Sequence, residues 1–256
     1  MSARILIPDV GARQRNSVLG RTNPLVKLAI AVAWLVGLAL TLDVRPPLAL
    51  AAVALGAGWV LGRIDPLDFL RRLLPLVLAA VGIVVANLLF SGRNADPLAT
   101  ELLRIGPLRI TEEAAIAAAG LGSRVAAIVS VGAVFALTTD ATHLVDSLVQ
   151  LARVSPRFAY GALAAYQAVP RFADDLTTIR HARRLRGLPE WRPRILVGLL
   201  VRAIRHADEL AVAMDARGFG GGRRTTYRPV AWTAMDAVIG GAGLGLLVGV
   251  LLVARD

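Results

Sequence analysis

The chain has 256 residues, of which 56% are hydrophobic and 18% charged, and its mean hydropathy is +0.62. This composition excludes an ordinary soluble domain and indicates an integral membrane protein. The formal net charge of +11 is compatible with nucleic-acid binding, but no aromatic residues interleave with the arginines to stack on bases. The arginines beside the apolar runs therefore favour membrane topology and contact with anionic lipid.

Five apolar runs are candidates for membrane-spanning helices, because about 20 apolar residues of helix cross a bilayer core. The second run is the shortest and needs tilt, local thinning of the membrane or the preceding residues 44–46 to cross it. A polar stretch through Asn23 precedes the first run and is too long for the charged region of a cleavable signal peptide. The predicted fold is an all-α integral membrane protein with about five transmembrane helices. The runs are 25–42, 47–61, 73–90, 114–137 and 230–254.

Arginine positions predict the orientation, because cytoplasmic loops of membrane proteins are enriched in Lys and Arg. Basic and neutral loops alternate along the chain, and segment 140–228 carries 15 arginines and 8 acidic residues. The alternation predicts a multi-pass plasma-membrane protein with a cytoplasmic N-terminus and an outer C-terminus. The predicted organisation is a cytoplasmic tail over 1–24, four spans over 25–138, a cytoplasmic region over 139–229 and a last span over 230–256.

Two basic segments of the cytoplasmic region have the spacing of long amphipathic helices that end on arginine. In each segment, apolar residues recur three or four positions apart, which places them on one face of a helix. The first stripe continues onto Arg183 and Arg186 and is followed by Gly187, while the second reaches Arg217, followed by Gly218. Glycine in that position is a helix stop. The stripes are Phe158, Ala162, Ala165, Val169, Phe172, Leu176 and Ile179, and Leu196, Leu200, Ala203, Ala207, Leu210 and Met214.

Two explanations of these helix ends are open at this point. Cations at a helix C-terminus complement the helix dipole without any further role. Two matched ends, each with its arginine on the apolar stripe, favour instead a device that docks onto a partner. The alternating steps of four and three also suit two long helices that cross each other. Pro170 lies inside the first helix and is predicted to kink it, because proline removes a backbone donor.

The sequence contains no constellation that points to catalysis or to a metal site. It has no phosphate-binding loop with a lysine, no His-Glu-x-x-His helix, no Gly-x-Ser-x-Gly turn and no cysteine. The three histidines lack the spacing of metal ligands. Asp174-Asp175 and Asp208-Glu209 are interpreted as local ion pairs with nearby arginines. We therefore predict a non-catalytic protein with no cofactor or metal of its own.

Several residues in or beside the spans indicate anchoring and packing. Pro24 suits a helix start and Lys27 is long enough to reach the membrane interface, so both are predicted to fix the entry of the first span. Arg124 is a charge well inside a span, where it either reaches the interface or contacts a partner subunit. Glycines at intervals of four predict close helix approach, within the chain or between subunits. They are Gly58 and Gly62, and Gly241, Gly245 and Gly249.

In their order and spacing, these motifs resemble those of the transmembrane T components of energy-coupling factor (ECF) transporters, the EcfT/CbiQ family. The resemblance begins at Asn23-Pro24-Leu25-Val26-Lys27, where the family has Asp-Pro-x-x-Lys. It continues through Leu137-Thr138-Thr139, Val169-Pro170-Arg171-Phe172 and two Ala-Arg-Gly signatures whose arginines lie 31 positions apart. Ala216-Arg217-Gly218 is intact, whereas Leu185-Arg186-Gly187 has leucine in place of alanine.

The resemblance implies a scaffold subunit. In that family, two cytoplasmic ABC ATPases bind ATP and Mg, hydrolyse ATP and clamp onto a pair of coupling helices, and a small membrane subunit captures a vitamin or a metal ion such as cobalt or nickel. The arginines of the two signatures dock into grooves on the ATPases. Transferred to this chain, the docking residues are Arg186, Gly187, Ala216, Arg217 and Gly218, with a lesser role for Arg183.

Two other functions stay open on the sequence alone. A conventional ABC permease subunit contacts its ATPases through one short coupling helix, which the two long helices here disfavour. An integral-membrane transferase needs acidic residues or a nucleophile at the membrane edge, and the sequence offers no matched set. If the chain functions as the resemblance implies, substrate specificity lies in another polypeptide.

Overall fold

The computed structural model describes residues 11–39, 41, 43–95, 99–105, 108–189, 191–221 and 225–253. Most of these residues are helical, and the only strands among them form one short two-stranded sheet, which confirms the predicted all-α class. The helices are α1 (Ala12–Arg15), α2 (Val18–Arg21), α3 (Pro24–Ala39), α4 (Arg45–Val60), α5 (Pro66–Phe90), α6 (Glu112–Thr138), α7 (Ala141–Gln150), α8 (Pro156–Leu185), α9 (Arg194–Ala216) and α10 (Ala234–Val253); strands β1 (Glu101–Ile105) and β2 (Leu108–Thr111) precede α6.

The five predicted apolar runs correspond to α3, α4, α5, α6 and α10. Three of these helices, α5, α6 and α10, contain stretches long and apolar enough to cross a membrane. The other two have 16 residues each, which at 1.5 Å per residue gives about 24 Å of helix against a core of about 30 Å. The count of five spans therefore stays a prediction for α3 and α4.

The chain forms two compact units, which we describe separately. The membrane unit comprises the described residues of 11–140 and 232–253, and the coupling unit comprises the described residues of 141–231. The chain therefore passes out of the membrane unit after Asp140 and returns at Trp232. We call these two points the outgoing and the returning connection.

The core of the membrane unit is built where α3, α4, α6 and α10 pack together. The Trp34 indole N–H donates a hydrogen bond of 2.8 Å to the Gly243 carbonyl, which ties α3 to α10. A Cβ atom at Gly243 would lie 2.9 Å from the Ile30 side chain, so this glycine permits close helix approach. The core residues are Trp34, Leu38, Leu50, Ala51, Ala54, Ala127, Val131 and Leu247.

Within the chain, the predicted glycine faces give close helix approach in the second span but not in the last, where contact between subunits stays a prediction. A Cβ atom at Gly58 would lie 2.8 Å from Val134, as expected for a packed face between α4 and α6. At Gly241, Gly245 and Gly249, by contrast, an added Cβ would meet no atom of the described residues within 4 Å. The close approach of α10 occurs on another face of the helix, because the neighbouring α3 lies against Gly243.

The structure adds an antiparallel hairpin that the sequence analysis did not predict. Strand β1 pairs with β2, and the register is irregular between Glu101 and Leu103. The Arg109 guanidinium lies 2.5 Å from the Glu101 carboxylate across the pair. Thr111 then caps α6, since its hydroxyl accepts a hydrogen bond from the Ala114 N–H. The hairpin sets where the longest apolar helix begins.

In the coupling unit, α8 contacts α7 near its start, at Tyr160, and contacts α9 in its second half, at Arg171 and Asp175. This change of neighbour makes the predicted stripe of α8 only partly correct. Phe172, Leu176 and Ile179 are half-buried, whereas Phe158 and Val169 are exposed. A helix of 30 residues meets its two neighbours with different faces, so one continuous stripe does not describe its packing.

The stripe of α9 is likewise correct only in its second half. The covered face follows Ile195, Leu199, Ala203, His206, Leu210 and Met214 at steps of four and three. The predicted Leu196 and Leu200 lie outside that face and are exposed. Pro170 lies inside α8, as predicted.

Candidate functional site: two arginine-tipped helix ends

The ends of α8 and α9 have the same backbone structure. The capping residues Arg186 and Arg217 have φ, ψ angles of −90°, 9° and −88°, 8°. The glycines that follow, Gly187 and Gly218, have φ angles of +67° and +69°. We call residues 183–188 the first tip and residues 214–219 the second tip.

The backbone hydrogen bonds of both tips are those of a Schellman motif. In each tip, the glycine N–H donates to the carbonyl three residues earlier, and the next N–H donates to the carbonyl five residues earlier. The positive φ angle favours glycine, because an L side chain there costs roughly 1–2 kcal/mol. The donor–acceptor pairs are Gly187–Arg184 at 3.0 Å, Leu188–Arg183 at 3.0 Å, Gly218–Asp215 at 2.8 Å and Phe219–Met214 at 2.9 Å.

Both capping arginines are exposed at the helix ends. Leu185, which replaces alanine in the first signature, has 90% of its surface exposed, and Ala216 is exposed as well. The larger leucine therefore has room in this chain. Its apolar side chain extends the exposed surface of the first tip.

Arg183 differs from the capping arginines because it is half-buried against its own chain. Its Nε donates a hydrogen bond of 3.0 Å to the carbonyl of Pro189, in the segment that follows the first tip. Arg183 thus braces the turn after α8. This contact favours a supporting role over direct docking and agrees with the lesser contribution expected for it.

Polar contacts across the pair tie α8 to α9. Arg202 on α9 lies 2.8 Å from the Asp175 carboxylate on α8, and Arg171 Nη1 lies 2.7 Å from His206 Nε2. The interpretation of Asp175 as part of a local ion pair is therefore wrong, because its partner lies on the other helix. The Arg180 guanidinium stacks over the Trp191 ring at 5.1 Å.

The structure places the Lys27 amine, which the sequence predicts at the membrane interface, in a contact inside the protein, and its part in the entry of the first span stays a prediction. Pro24 is the first residue of α3, as predicted, but Lys27 is only 7% exposed. Its Nζ donates a hydrogen bond of 2.8 Å to the Thr138 carbonyl at the end of α6. Arg124 likewise donates to the Thr41 carbonyl just beyond α3. Each cation therefore lies at the C-terminal end of a neighbouring helix, where the dipole favours positive charge.

The start of α8 is held by a polar contact with α7. The Tyr160 hydroxyl donates a hydrogen bond of 2.8 Å to the buried Asp146 carboxylate. Burial, together with this hydrogen bond and the carboxylate charge, raises the pKa of Tyr160 to about 12. A cavity of about 940 Å³ adjoins the pair, lined also by Gln150 and Arg157. Among the described residues, no group of three or more His, Asp or Glu is placed to hold a metal ion.

Residues 15–227 match the model of the CbiQ family, described as cobalt transport protein. This chain belongs to the EcfT/CbiQ family. It is 29% identical over 242 residues to the energy-coupling factor transporter transmembrane protein EcfT of Lactococcus lactis subsp. cremoris, a match that covers 88% of this chain and 89% of that protein. The identity to the EcfT protein of Lacticaseibacillus paracasei is 32% over 205 residues, covering 73% and 75%.

The match to a putative ABC transporter ATP-binding protein of Bifidobacterium longum is of a different kind. It covers 94% of this chain at 29% identity but only 33% of that longer protein. In that organism, a segment similar to this chain therefore forms part of a longer protein that is named for ATP binding. The family match and the long apolar helices together identify this chain as a membrane protein of a transport family.

The sequence analysis missed two residues that lie near the connections between the units, Asp236 in the membrane unit and Gln150 in the coupling unit. Asp236 accepts backbone hydrogen bonds from Asn23 at 2.7 Å and from Thr233 at 2.8 Å. Gln150 bonds to the backbone of Arg228 and Val230. A sequence signal existed for Asp236, because Thr233-x-x-Asp236 before an apolar run has the form of a capping box. No comparable local signal marks Gln150, whose partners lie about 80 positions away.

Proposed function

We propose that this chain is the transmembrane T subunit of an ECF-type ABC importer. It would couple ATP hydrolysis by two cytoplasmic ATPases to movement of a small membrane subunit that binds a vitamin or a transition-metal ion. ATP and Mg would be bound by the ATPases, and this chain would catalyse no reaction. The observation that carries the proposal is the pair of matched Schellman tips, each ending in an exposed arginine.

The tips suit docking because a rigid helix end presents a planar donor group. An arginine guanidinium donates several hydrogen bonds in a fixed fork and so binds carboxylate-lined grooves in a defined orientation. The Schellman hydrogen bonds fix the backbone that carries each guanidinium. The Arg202–Asp175 pair between α8 and α9 would help the two tips move together when the ATPases close on ATP.

Assembly and transport test this proposal directly. The chain is coexpressed with two ABC ATPases and a small membrane protein encoded beside it, and purified through a tag on one ATPase. We expect all four proteins to copurify and, in liposomes, ATP-dependent uptake of labelled cobalt, labelled nickel or one of a panel of vitamins. Copurification without ATP-dependent uptake of any of these compounds contradicts the importer role. ATP hydrolysis by this chain alone contradicts the non-catalytic role.

The proposed orientation has its N-terminus and coupling unit in the cytoplasm of the cell. Because the chain has no cysteine, single cysteines report topology without background. Asn16 and Leu102 are exposed on α1–α2 and on the hairpin, respectively, so Asn16→Cys and Leu102→Cys form a matched pair. We expect an impermeant thiol reagent added to intact cells to label only Leu102→Cys. Labelling of Asn16→Cys contradicts the orientation.

A further inference from the structure

We propose that a two-sided polar bracket holds the outgoing and returning connections together and transmits displacement of the coupling unit to the start of α3. This inference rests on the proposed function, because it concerns how that function is carried out. One side of the bracket lies in the membrane unit and the other in the coupling unit. Each side joins the segment next to the outgoing connection to the segment next to the returning one.

In the membrane unit, the first turn of α3 binds both connections. Lys27 Nζ donates to the carbonyl of Thr138, which ends α6 two residues before the outgoing connection. The Asn23 N–H donates to Asp236 Oδ1, four residues after the returning connection. All four residues are buried. Because Asn23 and Lys27 are one helical turn apart, a single turn of α3 is tied to the end of α6 and the start of α10.

Asp236 is held in place by a second set of bonds within α10. Its Oδ2 accepts hydrogen bonds of 2.8 Å from both the N–H and the hydroxyl of Thr233, and the Asp236 N–H donates to the Thr233 hydroxyl at 3.3 Å. This is a capping box with aspartate as its acidic member. The carboxylate is 2% exposed and therefore serves both the cap of α10 and the tie to α3.

In the coupling unit, one side chain joins the two connections directly. Gln150 ends α7, the helix that begins at the outgoing connection. Its Nε2 donates to the Arg228 carbonyl at 2.8 Å, and its Oε1 accepts from the Val230 N–H at 2.9 Å. The amide thus makes both hydrogen bonds to the segment just before the returning connection. A leucine of similar size would make neither.

The bracket joins the outgoing and returning connections, so that the two chain segments should resist bending together. An isolated segment transmits tension but bends when it is pushed or sheared, whereas two segments tied together on both sides resist bending. A displacement of the tips would then reach α3 through Lys27 and Asn23. Breaking the membrane-unit tie is costly, because it leaves a buried charge or a buried carbonyl without its partner.

A purely structural role makes a different prediction from a transmitting role. If the bonds only stabilise the fold, their loss lowers the amount of assembled complex, and each remaining complex imports as before. If the bonds transmit displacement, the assembled complex hydrolyses ATP but imports less per ATP. The decisive quantity is therefore the number of substrate molecules imported per ATP hydrolysed.

The test uses the complete four-protein complex in liposomes, with cobalt or whichever panel compound the native complex accumulates. Lys27→Met and Gln150→Leu break the two sides, and Gln167→Leu, exposed on α8, is the matched control. We expect import per ATP to fall about fivefold or more in both variants, the low end of usual coupling free energies. Assembly of Gln150→Leu should stay within about twofold of the native complex, which is under 1 kcal/mol, whereas Lys27→Met should lower the amount assembled because the buried Thr138 carbonyl loses its donor. ATP hydrolysis per assembled complex should stay within about twofold in both variants. The control should match the native complex.

The double variant shows whether the two sides of the bracket act in series or independently of each other. Because both sides act in series, Lys27→Met with Gln150→Leu should import no less per ATP than the worse single variant. The bracket is overturned if the losses of import per ATP in the two single variants multiply in the double variant. It is also overturned if import per ATP is unchanged in Gln150→Leu. If Lys27→Met does not insert, Gln150→Leu decides alone, since it lies outside the apolar helices. A native complex without ATP-dependent import overturns the proposed function, whereas an unchanged ratio in the variants overturns only this inference.

Discussion

The two tips share one backbone but carry different charges. The first tip has three arginines, Arg183, Arg184 and Arg186, whereas the second has Asp215 beside Arg217. Their cap angles agree within a few degrees. The comparison separates two properties of a docking helix end. The Schellman backbone determines where the guanidinium lies, and the neighbouring side chains determine how much the binding depends on that single guanidinium.

Different neighbours suit the tips to different surfaces. The first tip presents a cluster of positive charge and an exposed leucine, while the second presents one arginine next to a carboxylate. Under the proposed function, the two ATPases would then meet unequal partners on one chain. The following predictions break or sharpen this comparison, beginning with the largest expected effect.

Removing both capping arginines should abolish docking. Loss of one member of a desolvated charge pair costs about 2–5 kcal/mol, so each Arg→Ala should weaken ATPase association tens-fold or more. We expect Arg186→Ala with Arg217→Ala to lose both ATPases on copurification and to stop uptake. Arg180 and Arg202 are poor controls, because they contact Trp191 and Asp175. The exposed Arg205 on α9 is the better control.

If both ATPases still copurify with the Arg186→Ala, Arg217→Ala variant and uptake is normal, the tips do not dock onto the ATPases. The arginines would then only complement the dipoles of α8 and α9. Lysine at the two positions should restore association partly, since it keeps the charge but lacks the planar fork of donors.

Changing the backbone of the tips should have the next largest effect. Gly187→Ala or Gly218→Ala places an L side chain at a φ angle near +67° or +69°, which costs roughly 1–2 kcal/mol. We expect association to weaken by about fivefold to thirtyfold as the tip rearranges. Asparagine tolerates this conformation better and should weaken association less. Equal effects of alanine and asparagine would argue against the conformational cause.

The unequal charges predict unequal sensitivity to single substitutions. Arg183 and Arg184 partly replace the charge that Arg186→Ala removes, whereas Arg217→Ala leaves Asp215 in a tip without another arginine. Exposed charges contribute up to about 1 kcal/mol, so Arg217→Ala should weaken association about fivefold more than Arg186→Ala. Titration of each variant with purified ATPases measures the difference. A larger effect of Arg186→Ala would contradict the charge argument.

The smallest effect concerns the start of α8, far along the helix from the first tip. The pKa of Tyr160 is raised to about 12, above its ordinary value, so the stabilisation is complete below about pH 10 and is lost as the pH rises through about 12. Tyr160→Phe should remove this part of the pH dependence of thermal unfolding. The native protein should show one more tyrosinate than Tyr160→Phe, and the absorbance of that tyrosinate should appear near pH 12. Its appearance near pH 10 would contradict the raised pKa of Tyr160.

The tips were predictable because their signals are local. Periodic apolar residues indicate a helix, and Gly187 or Gly218 just beyond an arginine indicates its end, so the five predicted docking positions lie at the helix ends that the sequence predicts. The start of α3 at Pro24 has the same local origin. In each case the neighbouring residues determine the structure.

The bracket and the helix faces were not predictable in the same way. Asn23 and Asp236 are 213 positions apart, and periodicity identifies the faces of a helix but not which neighbour covers each of them. For this reason the sequence pattern predicts Lys27 at the interface and a single continuous apolar face on α8, neither of which reflects the neighbours that cover these residues. The hairpin was missed because β1 and β2 have only 5 and 4 residues, too few for a clear alternation.

The buried position of Lys27 makes it a chemical reporter. It is the only lysine among the 256 residues, and its amine bonds to the Thr138 carbonyl with little surface exposed. Amine-selective acylation at this site requires the Lys27–Thr138 hydrogen bond to break and the amine to reach solvent. The rate of modification at this one side chain, read by mass spectrometry, therefore measures how often the first turn of α3 separates from the end of α6.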